Sequence, residues 1–101
     1  DLDRCIAAKL ISPAHENVFH VFPFLTPKRD QLKAFLAENG VGTKIHYFRP
    51  PYLQPCYPEM NHLEFPVAKR IADEELSLPC NSSLNDEDII RVSKLINQFL
   101  V

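Results

Sequence analysis

Residues 17–25 read Asn-Val-Phe-His-Val-Phe-Pro-Phe-Leu, and this stretch decides the fold. β-Branched and aromatic residues favour a strand, and here apolar side chains fall on both of its faces. We therefore predict a strand over residues 17–25 that is central in its sheet and buried on both sides. Pro23 has no N–H to donate, which predicts a bulge or an unpaired edge at that position. His20 lies inside the run and is expected to be a core histidine with a hydrogen-bond partner.

The residues that follow predict a helix and then a second strand. Thr26-Pro27 has the pattern of an N-cap and a first helical residue. An apolar stripe at helical spacing comes next, through Leu32, Phe35 and Leu36. The helix is expected to end at Asn39-Gly40, because glycine adopts the left-handed conformation without strain. Residues 41–47 are then predicted to form the second strand.

A proline-rich segment separates this half of the chain from the next. Residues 48–58 read Phe-Arg-Pro-Pro-Tyr-Leu-Gln-Pro-Cys-Tyr-Pro and contain four of the nine prolines. Neither an α-helix nor a central strand tolerates that density of proline. We predict a long, rigid loop, which is where a functional site is usually placed between well-patterned elements.

Two more helices and a short strand are predicted in the second half. A helix opens at Phe65-Pro66 and is expected to turn three side chains inward, those of Ala68, Ile71 and Ala72. Residues 76–78 form a short strand. Asn85 caps the last helix, Asp88 completes a variant capping box, and Leu84 is placed to contact Ile89 as a hydrophobic staple. The buried face of this helix is predicted to consist of Ile89, Val92, Ile96 and Phe99.

This order of elements predicts an α+β fold. The expected architecture is a small antiparallel or mixed sheet covered by about three helices, in one domain that spans residues 1–101. An apolar fraction of 46% supports a packed core. No internal repeat and no second domain is indicated.

Composition excludes several classes of function. The net charge is −2 and no cationic cluster is present, so nucleic-acid binding is not expected. No apolar run is long enough for a membrane span, and no signal peptide is recognisable. The chain has three cysteines, an odd number, and no Cys-x-x-Cys motif. This favours reduced thiols in a cytoplasmic protein.

No motif in the chain indicates a complete active site. Nucleotide-binding loops, the serine-hydrolase elbow and the zinc-protease signature are absent, and only two glycines occur. The histidines lack the spacing of a metal site; they are His15, His20, His46 and His62. Cys56 or Cys80 with His46 would have the chemistry of a nucleophile and base, but nothing in the spacing favours that pair.

A series of short strings in a fixed order carries a resemblance to a known family. They include Asn-Gly-Val-Gly-Thr-Lys-Ile-His-Tyr (39–47), Glu-Met-Asn-His-Leu-Glu-Phe-Pro (59–66) and Glu-Leu-Ser-Leu-Pro (75–79). Nearly the whole chain from about residue 5 resembles the C-terminal region of the DegT/DnrJ/StrS aminotransferases. The resemblance is greatest to members that act on dTDP-linked 3-keto-6-deoxy sugars.

The resemblance implies the small C-terminal domain of a fold type I, pyridoxal-phosphate-dependent enzyme. In such enzymes the Schiff-base lysine and the cofactor belong to a separate large domain of the same polypeptide. None of the lysines here matches a Schiff-base motif; they are Lys9, Lys28, Lys33, Lys44, Lys69 and Lys94. This chain alone is therefore expected to have no catalytic residue, to bind no pyridoxal phosphate and to be inactive, while the parent enzyme is expected to be a homodimer.

The resemblance also implies which residues meet substrate in the parent. They belong to the loop that approaches the sugar nucleotide: His46, Tyr47, Arg49 and Tyr52. An imidazole, phenol hydroxyls and a guanidinium suit a diphosphate or sugar hydroxyls. The alternative is that His46 and Tyr47 only order the loop by hydrogen bonds. The family usually has proline in place of Phe48 and histidine in place of Tyr52.

Two functions compete at this point. The first is part of an aminotransferase that converts a keto sugar nucleotide to an amino sugar nucleotide in polysaccharide or lipopolysaccharide biosynthesis, with glutamate as the usual donor. The second is a stand-alone, non-catalytic binding or interaction module derived from that fold. The start at Asp1 without an initiator methionine favours the first.

Overall fold

The computed structural model describes residues 18–100. The predicted strand start at Asn17, and with it Cys5, Lys9 and His15, lies outside that range. Within it the chain forms a two-stranded antiparallel sheet and three α-helices, which confirms the α+β prediction. The elements are β1 (Phe22–Leu25), α1 (Arg29–Glu38), α2 (Pro66–Glu74), β2 (Glu75–Leu78) and α3 (Asp86–Leu100).

The core lies where β1 and β2 pack against α1 and α3. Its buried side chains come from these four elements and from the segment that follows α1; they are Phe24, Leu32, Leu36, Val41, Leu76, Leu78 and Ile96. The rings of Phe35 and Phe99 pack with centroids 5.5 Å apart and join α1 to α3. Alternation along β2 sends Leu76 and Leu78 into this core, so Glu75 and Ser77 point to the opposite face.

β1 is shorter than predicted and is an edge strand, so the prediction of a central strand over 17–25 is wrong. Its register pairs Phe22 with Leu78 and Leu25 with Glu75, and Pro79 follows immediately. The ladder ends at the pair of Phe22 and Leu78. His20 precedes the strand and is exposed, so the prediction of a core histidine is also wrong.

Pro23 fits the sheet without a bulge. It stands opposite Ser77, whose backbone N–H and carbonyl bond Lys44 at 2.7 and 3.2 Å. In an antiparallel pair both backbone groups of a residue point to the same side. Pro23 therefore occupies a non-hydrogen-bonded pair, and its missing N–H falls on the open edge of β1. Of the two predicted outcomes, a bulge or an unpaired edge, the structure has the unpaired edge.

The second predicted strand, 41–47, is reduced to one bridge between Lys44 and Ser77. The N–H of His46 donates to a side-chain oxygen of Glu75 at 2.6 Å, so it cannot form a backbone hydrogen bond to a neighbouring strand. The proline-rich segment follows directly and prevents further pairing. It contains two short 3₁₀ turns, Pro51–Leu53 and Pro58–Met60.

The end of α1 follows its sequence signal closely, and its start does not. Gly40 has φ +77°, and the N–H groups of Gly40 and Val41 bond the carbonyls of Ala37 and Leu36 at 3.0 and 2.8 Å. These two bonds form a Schellman motif, with Val41 contacting Leu36 in the core. At the other end, residues 26–28 form a turn in which Thr26 Oγ1 accepts the N–H of Lys28 at 3.2 Å. α1 begins at Arg29 with Lys28 as its N-cap, so the prediction of Thr26 as the N-cap is wrong by two residues.

Two of the predicted inward-facing residues are exposed. Ile71 on α2 is 42% exposed and Ile89 on α3 is 53% exposed, whereas Ala72 and Ile96 are buried as predicted. Ile71 borders an open cleft and Ile89 an apolar groove, so no described part of the chain covers either side chain fully.

The predicted capping box of α3 is present, and removing it should weaken the domain. Asp88 N–H bonds Asn85 Oδ1 at 2.8 Å, and Asn85 N–H bonds Asp88 Oδ2 at 3.1 Å. We expect Asn85→Ala to lower the free energy of unfolding by about 1 kcal/mol, which is a fall of about 4–8 °C in Tm for a domain of this size. Differential scanning calorimetry measures it. Gln98→Ala, on the exposed side of α3, is the control, and an equal loss in both variants would contradict the capping role.

Candidate functional site

The proline-rich loop is held in one conformation by its own amide side chains. Asn61 Nδ2 donates to the carbonyls of Tyr52 and Tyr57 at 2.8 and 3.1 Å. Gln54 Nε2 donates to the carbonyl of Arg49 at 2.9 Å. These bonds replace the ladder contacts that prolines cannot make, so the side chains of the loop are presented from a fixed backbone.

Tyr47 and Arg49 line the same cleft, between the loop and α2. The cleft has a volume of about 500 Å³ and is also bordered by Pro50, Tyr57 and Ile71. Tyr47 is 74% exposed. The guanidinium of Arg49 forms no hydrogen bond or ion pair with residues 18–100 and is available to an anionic group.

Tyr52 is placed differently, with its ring buried against Phe65. The ring centroids are 5.0 Å apart in an edge-to-face arrangement, and only 7% of Tyr52 is exposed. No side-chain oxygen or nitrogen in the described chain is both buried and without a partner. The hydroxyl of Tyr52 has no partner within residues 18–100, so it reaches the surface.

His46 borders a second cleft, of about 480 Å³, and its ring contacts that of Tyr47 edge to face with centroids 5.2 Å apart. His20, Lys44 and Cys80 border this cleft as well. The imidazole Nδ1 lies 2.7 Å from Ser77 Oγ. The four predicted site residues are thus divided. Tyr47 and Arg49 share one cleft, His46 lines another, and the Tyr52 ring is packed against Phe65. Their contact with substrate stays a prediction.

Glu75 is a buried carboxylate that our sequence analysis did not single out. It is 1% exposed; its Oε2 accepts the N–H of His46 at 2.6 Å and its Oε1 accepts the Ser77 hydroxyl at 2.5 Å. The alternation Glu-Leu-Ser-Leu at 75–78 was the available signal. It places Glu75 and Ser77 on one face of a strand, and only a polar partner on that face makes their burial tolerable.

Arg29 is the second residue that the sequence analysis missed. It is 5% exposed, and its Nη1 donates to the carbonyls of Ala72 and Glu75 at 2.9 and 3.2 Å. The guanidinium also lies 5.8 Å from the ring centroid of Phe48, within cation–π range. Arg29 therefore joins the start of α1 to the end of α2 and to the first residue of the proline-rich loop.

Within residues 18–100, neither cysteine is bonded to His46 and no lysine is buried. Cys56 is an exposed free thiol, and the Cys80 thiol donates to the carbonyl of Phe19 at 3.2 Å rather than to His46. Lys33 Nζ donates to the Thr43 carbonyl at 3.0 Å, and Lys69 pairs with Asp73 at 2.7 Å. The other lysines in the described range are exposed: Lys28, Lys44 and Lys94.

Two other features are absent from residues 18–100. No group of three or more His, Cys, Asp or Glu side chains in this range is arranged to hold a metal ion. None of the helices in the described part of the chain combines the length and the hydropathy that a bilayer crossing requires.

Comparison with known proteins gives matches over nearly the whole chain. The family model described as "DegT/DnrJ/EryC1/StrS aminotransferase family" matches residues 3–97. The chain is 39% identical over 97% of its length to the "Pleiotropic regulatory protein" of Geobacillus stearothermophilus, of which it covers 28%. It is 32% identical over 82% of its length to the "dTDP-3-amino-3,6-dideoxy-alpha-D-galactopyranose transaminase" of Aneurinibacillus thermoaerophilus, of which it covers 23%.

A further relative shows how much of such proteins this chain represents. Over 85% of its length the chain is 31% identical to the "UDP-N-acetyl-3-dehydro-alpha-D-glucosamine 3-aminotranferase" of Acidithiobacillus ferrooxidans, of which it again covers 23%. The chain thus spans about a quarter of the length of the curated relatives it matches.

Proposed function

Because the chain belongs to the DegT/DnrJ/EryC1/StrS aminotransferase family, we propose that it serves as the small domain of a sugar aminotransferase. In this proposal the intact enzyme converts a keto sugar nucleotide to an amino sugar nucleotide. The observation that carries it is the family match over residues 3–97 in a chain that spans a quarter of its relatives. Aminotransferases of this family are generally pyridoxal-phosphate-dependent. When it is bound, the cofactor supplies the carbonyl group that reacts with the amine nitrogen.

The cofactor and its lysine belong, in this proposal, to a large domain of the same polypeptide. Exposed side chains with large apolar surfaces line the Tyr47 cleft and support a covering partner on that face; they are Tyr47, Tyr57 and Ile71 at 74, 47 and 42% exposure. Apolar side chains grouped in this way mark an interaction surface more often than a solvated one. The large domain is the occupant we propose, and the intact enzyme is a homodimer in the cytoplasm.

The role of this domain in the intact enzyme is substrate binding. Arg49 offers an unpaired guanidinium that fits a diphosphate, and Tyr47 beside it offers a hydroxyl and a ring face. Tyr52 presents a hydroxyl with no partner in the described chain. His46 reaches a separate cleft, so its contact would be with a different part of the substrate from that held by Arg49.

A cofactor-binding assay on the 101-residue chain tests the division of labour. We expect no stoichiometric aldimine absorption when the chain is mixed with pyridoxal phosphate. Borohydride reduction followed by peptide mapping should find only scattered, substoichiometric modification of exposed lysines such as Lys28 and Lys94. A one-to-one adduct on a single lysine would refute the proposal that the cofactor site lies elsewhere.

A second candidate function is a non-catalytic interaction module, and one observation favours it. A relative 39% identical to this chain is named a regulatory protein. Assay of the full product of the parent gene separates the two functions. Amino transfer from glutamate to a keto sugar nucleotide supports the aminotransferase, whereas its absence in a folded, cofactor-loaded product supports the module.

A further inference from the structure

One side chain, that of Ser77, connects the buried carboxylate of Glu75 to the imidazole of His46. Glu75 Oε1 accepts the hydroxyl of Ser77 at 2.5 Å, and Ser77 Oγ lies 2.7 Å from His46 Nδ1. Glu75 and Ser77 are 1 and 6% exposed, so water does not compete for these bonds. The second carboxylate oxygen of Glu75 holds the backbone N–H of His46 at 2.6 Å. One carboxylate thus holds His46 at two points, by its backbone directly and by its ring through Ser77.

The number of protons in this chain of bonds fixes the tautomer of His46. A serine hydroxyl has a single proton, and Ser77 donates it to Glu75. Ser77 Oγ can therefore only accept from the imidazole, which requires the proton of a neutral His46 to be on Nδ1. We propose that Glu75 and Ser77 are positioning residues that hold neutral His46 as the Nδ1–H tautomer, with Nε2 presented to the cleft as a hydrogen-bond acceptor.

The Nε2 atom is free to act on a ligand. It has no hydrogen bond within residues 18–100, and no partnerless nitrogen in that range is buried, so Nε2 is open to solvent. The imidazole borders the cleft shared with His20 and Lys44. An acceptor in this position selects a ligand group that donates a proton, such as a sugar hydroxyl or an amine. A neutral Nε2 without a proton does not bind a phosphate oxygen.

This selectivity rests on the proposed function, because it assigns His46 to the sugar part of the nucleotide sugar. It also divides the recognition between the two clefts. The guanidinium of Arg49 suits the diphosphate in the cleft against α2, and the Nε2 acceptor of His46 suits a hydroxyl in the second cleft.

The tautomer itself is tested on this chain by NMR with ¹⁵N-labelled histidine, at a pH at which every imidazole is neutral. We expect His46 to show a protonated Nδ1 and an unprotonated Nε2, whereas exposed His62 in the same spectrum shows the solvent mixture dominated by Nε2–H. Ser77→Ala should lose the Nδ1–H signature of His46 and leave His62 unchanged. Ser77→Thr keeps a hydroxyl and should restore it. Glu75→Gln should weaken it, since an amide provides only one acceptor oxygen.

The backbone amide spectrum of each variant reports whether the fold is retained. If Ser77→Ala unfolds the chain, the wild-type and Ser77→Thr spectra still decide the tautomer. An Nε2–H tautomer in the wild-type chain, or an Nδ1–H tautomer that persists in folded Ser77→Ala, would overturn the positioning role. These readouts involve neither cofactor nor substrate, so they stand apart from success or failure of the aminotransferase proposal.

The acceptor role toward substrate is tested by two replacements of His46 in the intact enzyme. Glutamine retains an acceptor oxygen, whereas lysine offers only donors and a positive charge. We expect kcat/KM for the keto sugar nucleotide to be at least about tenfold higher for His46→Gln than for His46→Lys. A lysine variant that equals or exceeds the glutamine variant would show that the group contacted is an anion, and would overturn the assignment to a hydroxyl.

Discussion

Replacing His46 by alanine in the intact aminotransferase is expected to lower kcat/KM for the keto sugar nucleotide by about tenfold to hundredfold. The reason is the loss of a directed hydrogen bond to substrate from a ring that Ser77 and Glu75 hold in place. Steady-state kinetics with varied nucleotide sugar measures the effect, and thermal unfolding measures the accompanying change in stability. The stability loss should be about 1–2 kcal/mol, because the variant removes the bond between Nδ1 and Ser77 and the edge-to-face contact of the imidazole with Tyr47.

Two further variants separate substrate contact from scaffolding. His62→Ala changes an exposed histidine that borders neither the Tyr47 cleft nor the His46 cleft, and should leave both kinetics and stability as they are. Tyr52→Phe removes a hydroxyl that has no partner in the described chain, so any change in kcat/KM would come from substrate. If kcat/KM is unchanged in both His46→Ala and Tyr52→Phe, the loop is scaffolding and the substrate assignment is wrong.

Leu76→Ala is expected to have the largest effect on stability. Leu76 is fully buried on β2, where it pairs with Phe24 of β1. It belongs to the core cluster with Leu36 and Ile96. Truncating a buried leucine lowers the free energy of unfolding by about 2–5 kcal/mol. Because small domains are stable by only about 5–15 kcal/mol in total, a large part of the margin is lost.

Urea denaturation at room temperature measures this loss through the midpoint of the transition. Leu63→Ala is the matched control, since the same truncation at a side chain that is 37% exposed leaves a smaller cavity. It should lower the free energy of unfolding by less than about 1 kcal/mol. Equal losses at the two positions would mean that the core does not lie between the sheet and α1 and α3.

The helix ends could be predicted from sequence where the signal was local. Gly40 ends α1 because a left-handed residue is needed there, and Asn85 with Asp88 begins α3 through bonds between residues three apart. The strands were predicted less well because their length depends on a partner distant in sequence. Residues 18–21 have strand composition, but β2 ends at Leu78 and offers them nothing to pair with.

The candidate site shows the same limit. His46 and Tyr47 are adjacent in sequence, and the family resemblance groups them, yet they border different clefts. The bonds that hold His46 come from Glu75 and Ser77 on a strand far along the chain. The alternation at 75–78 places Glu75 and Ser77 on one face of a strand, but the burial of that face depends on distant residues and could not be predicted locally.

The pairing of β1 with β2 has a consequence for how the domain folds. The two strands lie side by side, but α1, the proline-rich loop and α2 all separate them along the chain. The sheet therefore cannot form as a local hairpin. The chain must lose the entropy of closing a long loop before the strand pair contributes any stabilising free energy. We expect α1 and α3 to gain structure early and the sheet to form with final collapse. Doubling a flexible loop would add only about 0.6 kcal/mol to its closure, but insertions between Pro55 and Asn61 should cost more, because they separate Asn61 from the carbonyl of Tyr52 that it bonds.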